Sequence, residues 1–209
     1  FHSCAVRTTT GDAYCWGWNN FGQVGDGSAF EHTGPVAVSG LSASKVSTGQ
    51  EHTCALGTVI PVCWGWNLDG QLGDGTFTDR ATPGGVSGLT SSGLTGIAAG
   101  AQHSCVLNTS GVASCWGDNF DGQLGNGTTT SSTTPFIVTG NPSPFTSITA
   151  GDFHTCGLGQ NGTVYCWGDN SDGQVGNGTT IDALSPVAIS PSLSFKQVSA
   201  GGALTSALT

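Results

Sequence analysis

The sequence predicts an all-β protein built from repeated units, and three observations support this prediction. The segment His154–Gly178 occurs four times with small changes, and the copies begin at His2, His52, His103 and His154. A degraded fifth copy begins at Leu204. Short runs of β-branched and aromatic residues, bounded by Gly, Asn, Asp, Pro and Thr, dominate each copy, and no helical stripe is present.

Part of each copy keeps a constant length. The tryptophan of each copy is followed at fixed distances by a Gly-Gln pair, two further glycines and a proline, as in Trp167, Gly173-Gln174 and Pro186. Insertions occur only between the histidine and the tryptophan, and between the proline and the next histidine. The constant part is therefore expected to be packed, and the variable parts are expected to be surface loops.

The repeat pattern divides the chain into four units at 1–50, 51–101, 102–152 and 153–202, with the start of a fifth at 203–209. Each unit is expected to contain four strands. In the last copies these are Phe195–Ala200 as the first strand, His154–Leu158 and Thr163–Trp167 as the second and third, and Pro186–Ile189 as the fourth. At the start or the edge of a strand the backbone N–H is not required to bond a neighbouring strand, so proline is tolerated there. The tryptophan should pack between neighbouring sheets, and the asparagine after it should form a turn.

The eight cysteines fall into four pairs, and each pair lies inside one unit: Cys4 with Cys15, Cys54 with Cys63, Cys105 with Cys115 and Cys156 with Cys166. If the second and third strands form a hairpin, Cys156 faces Cys166 and the loop Gln160-Asn161-Gly162 ends in a glycine, where a left-handed conformation is required. Directly opposed residues lie within the reach of a disulfide. Buried free thiols are the alternative. Disulfides indicate an oxidising compartment, so we expect an extracellular or cell-surface location.

The charge of the chain argues against several classes of partner. The net charge is −9, and the only cations besides histidine are Arg7, Lys45, Arg80 and Lys196. A phosphate backbone requires a basic surface, so nucleic acid is not expected as a partner. No apolar run is long enough to span a bilayer. Because the chain starts within a unit, we expect a processed, truncated or partly observed protein.

The motif HTCxL…VYCWGxNxxGQLGxGT…PxxV resembles the repeat of the regulator of chromosome condensation (RCC) family over essentially the whole chain. The resemblance implies a β-propeller-type repeat of four-stranded blades around an axis, usually seven in a closed ring. Four units plus a partial fifth imply an open or incomplete propeller. A well-known member is a nuclear exchange factor for a small GTPase. The paired cysteines and the acidic balance depart from that member, so exchange activity ranks last among the functions considered.

Metal binding and catalysis are not expected from the residues. One histidine and two cysteines per unit lack a consistent fourth zinc ligand, and the histidine is expected to bond the backbone. The sequence DNFDG at residues 118–122 and DNSDG at residues 169–173 lack the pattern of a calcium loop, so turn formation explains them better, although weak calcium binding stays open. No nucleophile elbow or phosphate loop occurs. We therefore predict a protein without catalytic function, cofactor or metal.

Aromatic and apolar residues replace polar ones in the loops of some units, and they are the candidates for contact with a partner: Trp18, Phe21, Trp66, Leu68 and Phe120. Packing on the neighbouring unit is the alternative explanation. Four asparagines lie in N-glycosylation sequons, and all four are in expected turns: Asn108, Asn126, Asn161 and Asn177.

Two hypotheses about function follow from these observations. The first is a non-catalytic extracellular repeat protein with a structural or adhesive role: a surface protein or a subunit of an extracellular assembly or fibre, formed by end-to-end self-association. The second is a soluble module that binds proteins or glycans through its loop aromatics, for example as an inhibitor of a secreted enzyme.

Overall fold

The computed structural model describes residues 1–191 and 193–209 and contains sixteen antiparallel strands. The strands of the first two units are β1 (His2–Val6), β2 (Asp12–Gly17), β3 (His32–Thr48), β4 (His52–Gly57), β5 (Pro61–Gly65) and β6 (Arg80–Gly85). The third unit has β7 (Leu94–Ala99), β8 (His103–Asn108), β9 (Ala113–Gly117) and β10 (Ser132–Ile137). The remaining strands are β11 (Phe145–Ala150), β12 (His154–Gly159), β13 (Val164–Gly168), β14 (Ala183–Ala188), β15 (Gln197–Gly201) and β16 (Leu204–Leu208). No helix of the described residues has the length and apolar character needed to cross a membrane.

The sheets have the strand order expected of propeller blades. Strands β7 to β10 form one sheet of four, and β11 to β14 form another. Strand β3 is long enough to serve both as the fourth strand of the first unit and as the first strand of the second, so β1 to β6 form one six-stranded sheet. The first strands of successive units contact one another, and the sheets therefore fan around a common axis. Within the described residues they do not close into a ring.

The fourth strand differs from the sequence-based expectation. Strand β14 begins at Ala183 rather than at Pro186, because Gly168 pairs with Ala183 while Cys166 pairs with Val187. Pro186 therefore lies inside the strand, in the bulge that this shift creates. A residue without an N–H is tolerated there because no ladder hydrogen bond is required of it. The prolines of the other three units lie in equivalent register shifts.

The hairpins have the register expected from the cysteine spacing. Cys156 is directly opposite Cys166, and the partners in the other pairs face each other in the same way. In the structure all four pairs are disulfide-bonded, with Cα atoms 4.1 Å apart. Gly162 at the end of the hairpin loop has a φ of 79°, the left-handed conformation expected for that position.

The hydrophobic core lies between units rather than inside each one. Trp64 of the second unit packs with Cys15, Val24 and Val38 of the first. Trp116 packs in the same way against the second unit, and Trp167 against the third. All three tryptophans are fully buried, as the sequence predicted. A single four-stranded sheet cannot bury such a residue alone, so each unit depends on its neighbour for stability.

The two ends of the sheets form different surfaces. At one end lie the turns between the first and second strands and the long loops between the third and fourth strands, and we call this end the upper face. The hairpin turns between the second and third strands and the connections between units form the lower face. On the upper face, the N–H of Gln50 donates to the carbonyl of Gly100, and the N–H of Asp152 to that of Gly202. Side chains at Gly49, Gly100 or Gly151 would collide with the next unit, so glycine is required where the units approach at the axis.

Candidate functional site

The long loops of the upper face are organised by one buried asparagine per unit. In the second unit, Asn67 Nδ2 donates to the carbonyls of Thr76 and Thr78, both at 3.1 Å, and Asn67 Oδ1 accepts from the N–H of Leu72 at 2.9 Å. The same bonds recur around Asn19, Asn119 and Asn170. None of the described non-glycine residues has a positive φ. The asparagine therefore fixes the loop through its side chain rather than by a left-handed turn, and side chains on the loop are held in defined positions.

Adjacent units are joined on the upper face by a hydrogen-bonded clamp. The carbonyl of Gln71 accepts from Trp116 Nε1 at 2.8 Å and from the hydroxyl of Ser104 at 2.9 Å, both in the next unit. Because the Ser104 hydroxyl donates to Gln71, its oxygen accepts from His52 Nε2 at 2.8 Å. Equivalent clamps lie at two other unit boundaries. The carbonyl of Gln23 accepts from Trp64 and Thr53, and His2 bonds Thr53; the carbonyl of Gln123 accepts from Trp167 and Thr155, and His103 bonds Thr155.

The clamp explains why each copy contains a histidine at this position. The prediction that each histidine bonds the backbone is wrong. Each imidazole bonds a hydroxyl of the following unit instead, and His154 bonds Thr205 in the same way. The histidines are buried, and Nδ1 of each has no hydrogen-bond partner among the described residues. Burial, with smaller contributions from neighbouring charges, lowers the pKa of His52 and of His103 to about 3 and that of His2 to about 4. These histidines are therefore neutral structural groups at physiological pH.

Three of the five contact candidates form a cluster across the first two units. Trp18 lies edge-on to Phe21 with ring centroids 5.5 Å apart, and Phe21 contacts Trp66 of the next unit at 6.0 Å. Phe1 extends this series, at 6.0 Å from Trp18. We refer to Phe1, Trp18, Phe21 and Trp66 as the aromatic cluster. Trp18, Phe21 and Trp66 are half-buried, so each side chain both packs on a neighbour and presents part of its ring to solvent.

The two remaining candidates, Leu68 and Phe120, point away from the protein. Leu68 is 63% exposed and Phe120 is 77% exposed, and they occupy equivalent positions in the upper-face loops of the second and third units. The structure therefore divides the candidates into a packed aromatic cluster and two free apolar side chains. Phe1 is not among the candidates predicted from the sequence; it precedes His2 as Phe153 precedes His154, and its carbonyl accepts from the N–H of Trp18 as that of Phe153 accepts from Asp169.

Beneath the aromatic cluster lie two amide groups that lack a partner. In the third and fourth units, the equivalent glutamine of the long loop donates its Nε2 to an aspartate, as in Gln123 to Asp118 at 2.9 Å and Gln174 to Asp169 at 2.6 Å. Trp18 and Trp66 occupy these aspartate positions in the first two units. Nε2 of Gln23 and Nε2 of Gln71 are consequently buried without a hydrogen-bond partner among the described residues. A change from Asp to Trp beside an unchanged Gln was the signal in the sequence that could have revealed this.

Replacing Trp18 by Asp should therefore yield a more stable protein than replacing it by Ala. The aspartate would supply the acceptor that Gln23 Nε2 lacks, whereas alanine removes the ring and leaves the amide unpaired. Because an unpaired buried donor costs about 1–3 kcal/mol, the two variants should differ by roughly 1 kcal/mol or more in the free energy of unfolding. Urea titrations of both variants would measure the difference. Equal stabilities would show that the amide is satisfied in some other way.

Asp118 is engaged in turn formation rather than arranged as a cation ligand. Its Oδ1 accepts from the N–H of Asn119 at 2.8 Å and from the Ser131 hydroxyl at 3.2 Å, while Oδ2 accepts from Gln123. Across the described residues, no three His, Cys, Asp or Glu side chains are grouped so that they could hold a metal ion. The nearest approach to an acid–base pair is His32 Nε2 with Asp26 at 2.8 Å, within a loop.

The four sequon asparagines occupy different environments. Asn126 and Asn177 are half-buried, and each bonds the residue two positions later within its own loop. Asn108 closes a hairpin turn by accepting from the N–H of Ser110 and of Val112. Asn161 is exposed at the tip of its hairpin, so it is the sequon that the structure leaves most accessible. Glycosylation itself stays a prediction at all four positions.

Comparison with known proteins shows where this architecture recurs. The Regulator of chromosome condensation (RCC1) repeat matches residues 10–56, 63–107, 111–158 and 161–208. The chain is 41% identical over 91 residues to the Protein RCC2 homolog of Danio rerio, covering 43% of this chain and 18% of that protein. It is 34% identical over 192 residues to the Ultraviolet-B receptor UVR8 of Arabidopsis thaliana, covering 89% of this chain and 43% of that protein. The crystal structure of human WBSCR16 superposes with a TM-score of 0.84 at 24% identity, covering 96% of this chain and 54% of that one.

The chain thus spans less than half of the length of either relative. The matched repeats nevertheless extend over most of the present sequence, and the blades have the strand order and inter-unit packing described above. The protein belongs to the family of regulator of chromosome condensation (RCC1) repeats.

Proposed function

We propose that this chain is a non-catalytic repeat module that acts outside the cell and binds a protein through its upper face. The observation that carries the proposal is the aromatic cluster together with Leu68. Half-exposed aromatic rings on a fixed backbone are typical of the centre of a protein interface, because they bury a large area with little loss of side-chain freedom. The buried asparagine of each loop supplies that fixed backbone.

The extracellular location is supported by the disulfides. Each unit contains one bridge between adjacent strands, and no free cysteine is present among the described residues. A repeated bridge of this kind is typical of proteins from oxidising compartments. A nuclear exchange factor would work in a reducing environment, and exchange activity remains the lowest-ranked function.

Absence of catalysis is proposed because the clamp histidines and half of the upper-face carboxylates have structural partners, and among the described residues the other carboxylates belong to no group of three His, Cys, Asp or Glu side chains that could hold a metal ion. The imidazoles hold neighbouring units together, and Asp118 and Asp169 bond the glutamines of the clamps. A catalytic site would need an acid, a base or a nucleophile that is free to face a substrate. His32 Nε2 lies 2.8 Å from Asp26 inside its own loop, in the position that the contact of Arg80 with Asp74 has in the second unit.

Binding arrays test this function directly. The purified chain is applied to an array of extracellular proteins and to a glycan array, in parallel with the Trp18→Asp/Trp66→Asp double variant. We expect protein ligands whose signal falls at least tenfold in the double variant, since the rings are removed while the polar network of the third and fourth units is reproduced. Ligands confined to the glycan array would favour sugar binding. Protein binding that is unchanged in the double variant would contradict a site at the aromatic cluster.

A structural or adhesive role is the second candidate. Leu204 and Leu208 on β16 are 76% and 62% exposed, and an apolar strand of this kind can pair with another chain. Copies that associate end to end would form a fibre or a composite ring. Light scattering over a range of concentrations distinguishes the two roles, because assembly raises the molar mass whereas a binding module stays monomeric.

A further inference from the structure

The charges of the chain are divided between its two faces. Every carboxylate except that of Asp12 lies in the turns and loops of the upper face, which is twelve of the thirteen in the chain. Three of the four cations lie at the lower ends of the sheets, at Arg7, Lys45 and Lys196. The fourth, Arg80, contacts Asp74 at 3.5 Å within its loop. With twelve carboxylates and Arg80, the upper face thus carries a formal charge of −11 against +2 on the lower face, and it attracts cations to one side of the molecule.

Half of the upper-face carboxylates accept no hydrogen bond among the described residues. Asp26, Asp74, Asp79, Asp118, Asp169 and Asp182 accept hydrogen bonds inside their loops. The other six include Glu51, Asp69, Asp121 and Asp172, whose side chains make no hydrogen bond among the described residues. Partial burial, and then the neighbouring Asp118, raises the pKa of Asp69, and burial followed by Asp169, Asp182 and Asp118 raises that of Asp121. Besides the larger cost of partial burial, Asp69 and Asp121 are therefore repelled by the neighbouring upper-face aspartates, and a cationic partner would relieve this repulsion.

The aromatic cluster lies beside two of these carboxylates, those of Glu51 and Asp69. The main-chain N–H of Trp66 donates to the main-chain carbonyl of Glu51 at 2.9 Å, and Asp69 follows Trp66 by three residues in the same loop. The face of an indole ring attracts a Lys or Arg head group, so rings and carboxylates together suit one kind of side chain. Beneath the rings, the buried Nε2 groups of Gln23 and Gln71 are donors without an acceptor. Both glutamine side chains are fully buried, so a partner that contacts the rings would reach these donors only if the rings moved aside.

We propose that the upper face binds a basic polypeptide segment, with Lys or Arg side chains on the unpaired carboxylates and on the rings of Trp18 and Trp66. The inference rests on the proposed function, protein binding at the aromatic cluster, and adds the chemistry of the partner. Binding of this kind depends on ionic strength, because the carboxylates are exposed to solvent and screened by salt.

Fluorescence anisotropy with a labelled peptide rich in Lys and Arg tests the inference. The same peptide with Gln in place of every Lys and Arg serves as the probe control. We expect the basic peptide to bind at least tenfold more tightly than the Gln peptide at low ionic strength. The quadruple variant Glu51→Gln/Asp69→Asn/Asp121→Asn/Asp172→Asn should lose at least tenfold in affinity. Asp12→Asn, on the lower face, should bind as the unchanged chain does.

The Trp18→Asp/Trp66→Asp variant separates a built site from general attraction between opposite charges. The variant makes the upper face more acidic while it removes the rings and supplies acceptors for Gln23 and Gln71. Our proposal expects the basic peptide to bind at least fivefold more weakly, whereas attraction by net charge alone would make it bind more tightly. Tighter or unchanged binding would overturn the proposal.

Two further outcomes would also overturn it. Array ligands that require Trp18 and Trp66 but bind the quadruple variant normally would leave the proposed function intact and exclude a basic partner. Self-association that is lost in Arg7→Gln/Lys45→Gln would identify the lower face of a second copy as the occupant of the upper face.

Discussion

Acidification from pH 6.5 to pH 5 should strongly destabilise the folded chain, because the clamp histidines cannot accept a proton without losing stability. Burial holds the pKa of His52 and His103 at about 3, far below the value of about 6.5 in an unfolded chain. The unfolded state therefore binds protons first, and stability is fully present above pH 6.5 and is lost as the pH falls toward 3. Each such histidine removes about 1.4 kcal/mol per pH unit, or roughly 2 kcal/mol at pH 5.

Thermal melts at half-unit steps of pH would measure this loss, and His103→Gln is the matched variant. Its amide can still donate to the Thr155 hydroxyl that His103 Nε2 contacts at 2.8 Å, but it does not titrate. We expect the variant to be less stable than the unchanged chain at pH 7.5 and to lose stability less steeply on acidification. An identical slope for both proteins would mean that His103 does not contribute to the pH dependence.

Trp116→Ala should cost about 3–5 kcal/mol of unfolding free energy, the largest loss that we expect from a single side-chain truncation. The ring is fully buried against the second unit, and its Nε1 donates to the carbonyl of Gln71. Removing it leaves a cavity between the second and third units and breaks one of the two bonds that the clamp carbonyl accepts. Chemical denaturation at pH 7.5 would measure the cost.

Trp16→Ala is the control for this prediction, because Trp16 occupies the same position of the repeat without the clamp. Trp16 is half-buried, and its Nε1 makes no hydrogen bond among the described residues. We expect less than half of the loss seen for Trp116→Ala. Equal losses would show that burial within one sheet, rather than packing between units, sets the contribution of the tryptophan.

Much of the fold could be predicted because it depends on short-range spacing. The distance between Cys156 and Cys166 with Gly162 between them specifies a hairpin, since few turns allow opposed residues at that separation. The prediction that the fourth strand starts at Pro186 is wrong, because proline is tolerated inside a strand as well as at its start. A bulge accommodates it inside the strand, and a bulge depends on the register of the partner strand.

The candidate site was predictable only in part. The exchange of Asp118 and Asp169 for Trp18 and Trp66 identified the aromatic residues, because a repeat makes any departure visible. Their contacts through Phe21 and the unpaired Nε2 groups beneath them could not be predicted. Both depend on contacts between residues that are far apart in the sequence.

The sequence by itself determined the units, their strands and the pairing of the cysteines, because hairpins, turns and bridges involve neighbouring residues whose spacing the repeat keeps. Only the tertiary structure decided what joins one unit to the next. The bond from His52 to Ser104 and the shared carbonyl of Gln71 connect residues separated by one whole unit or most of one. The gathering of the carboxylates on one face has the same origin, since it depends on which ends of the strands point together around the axis.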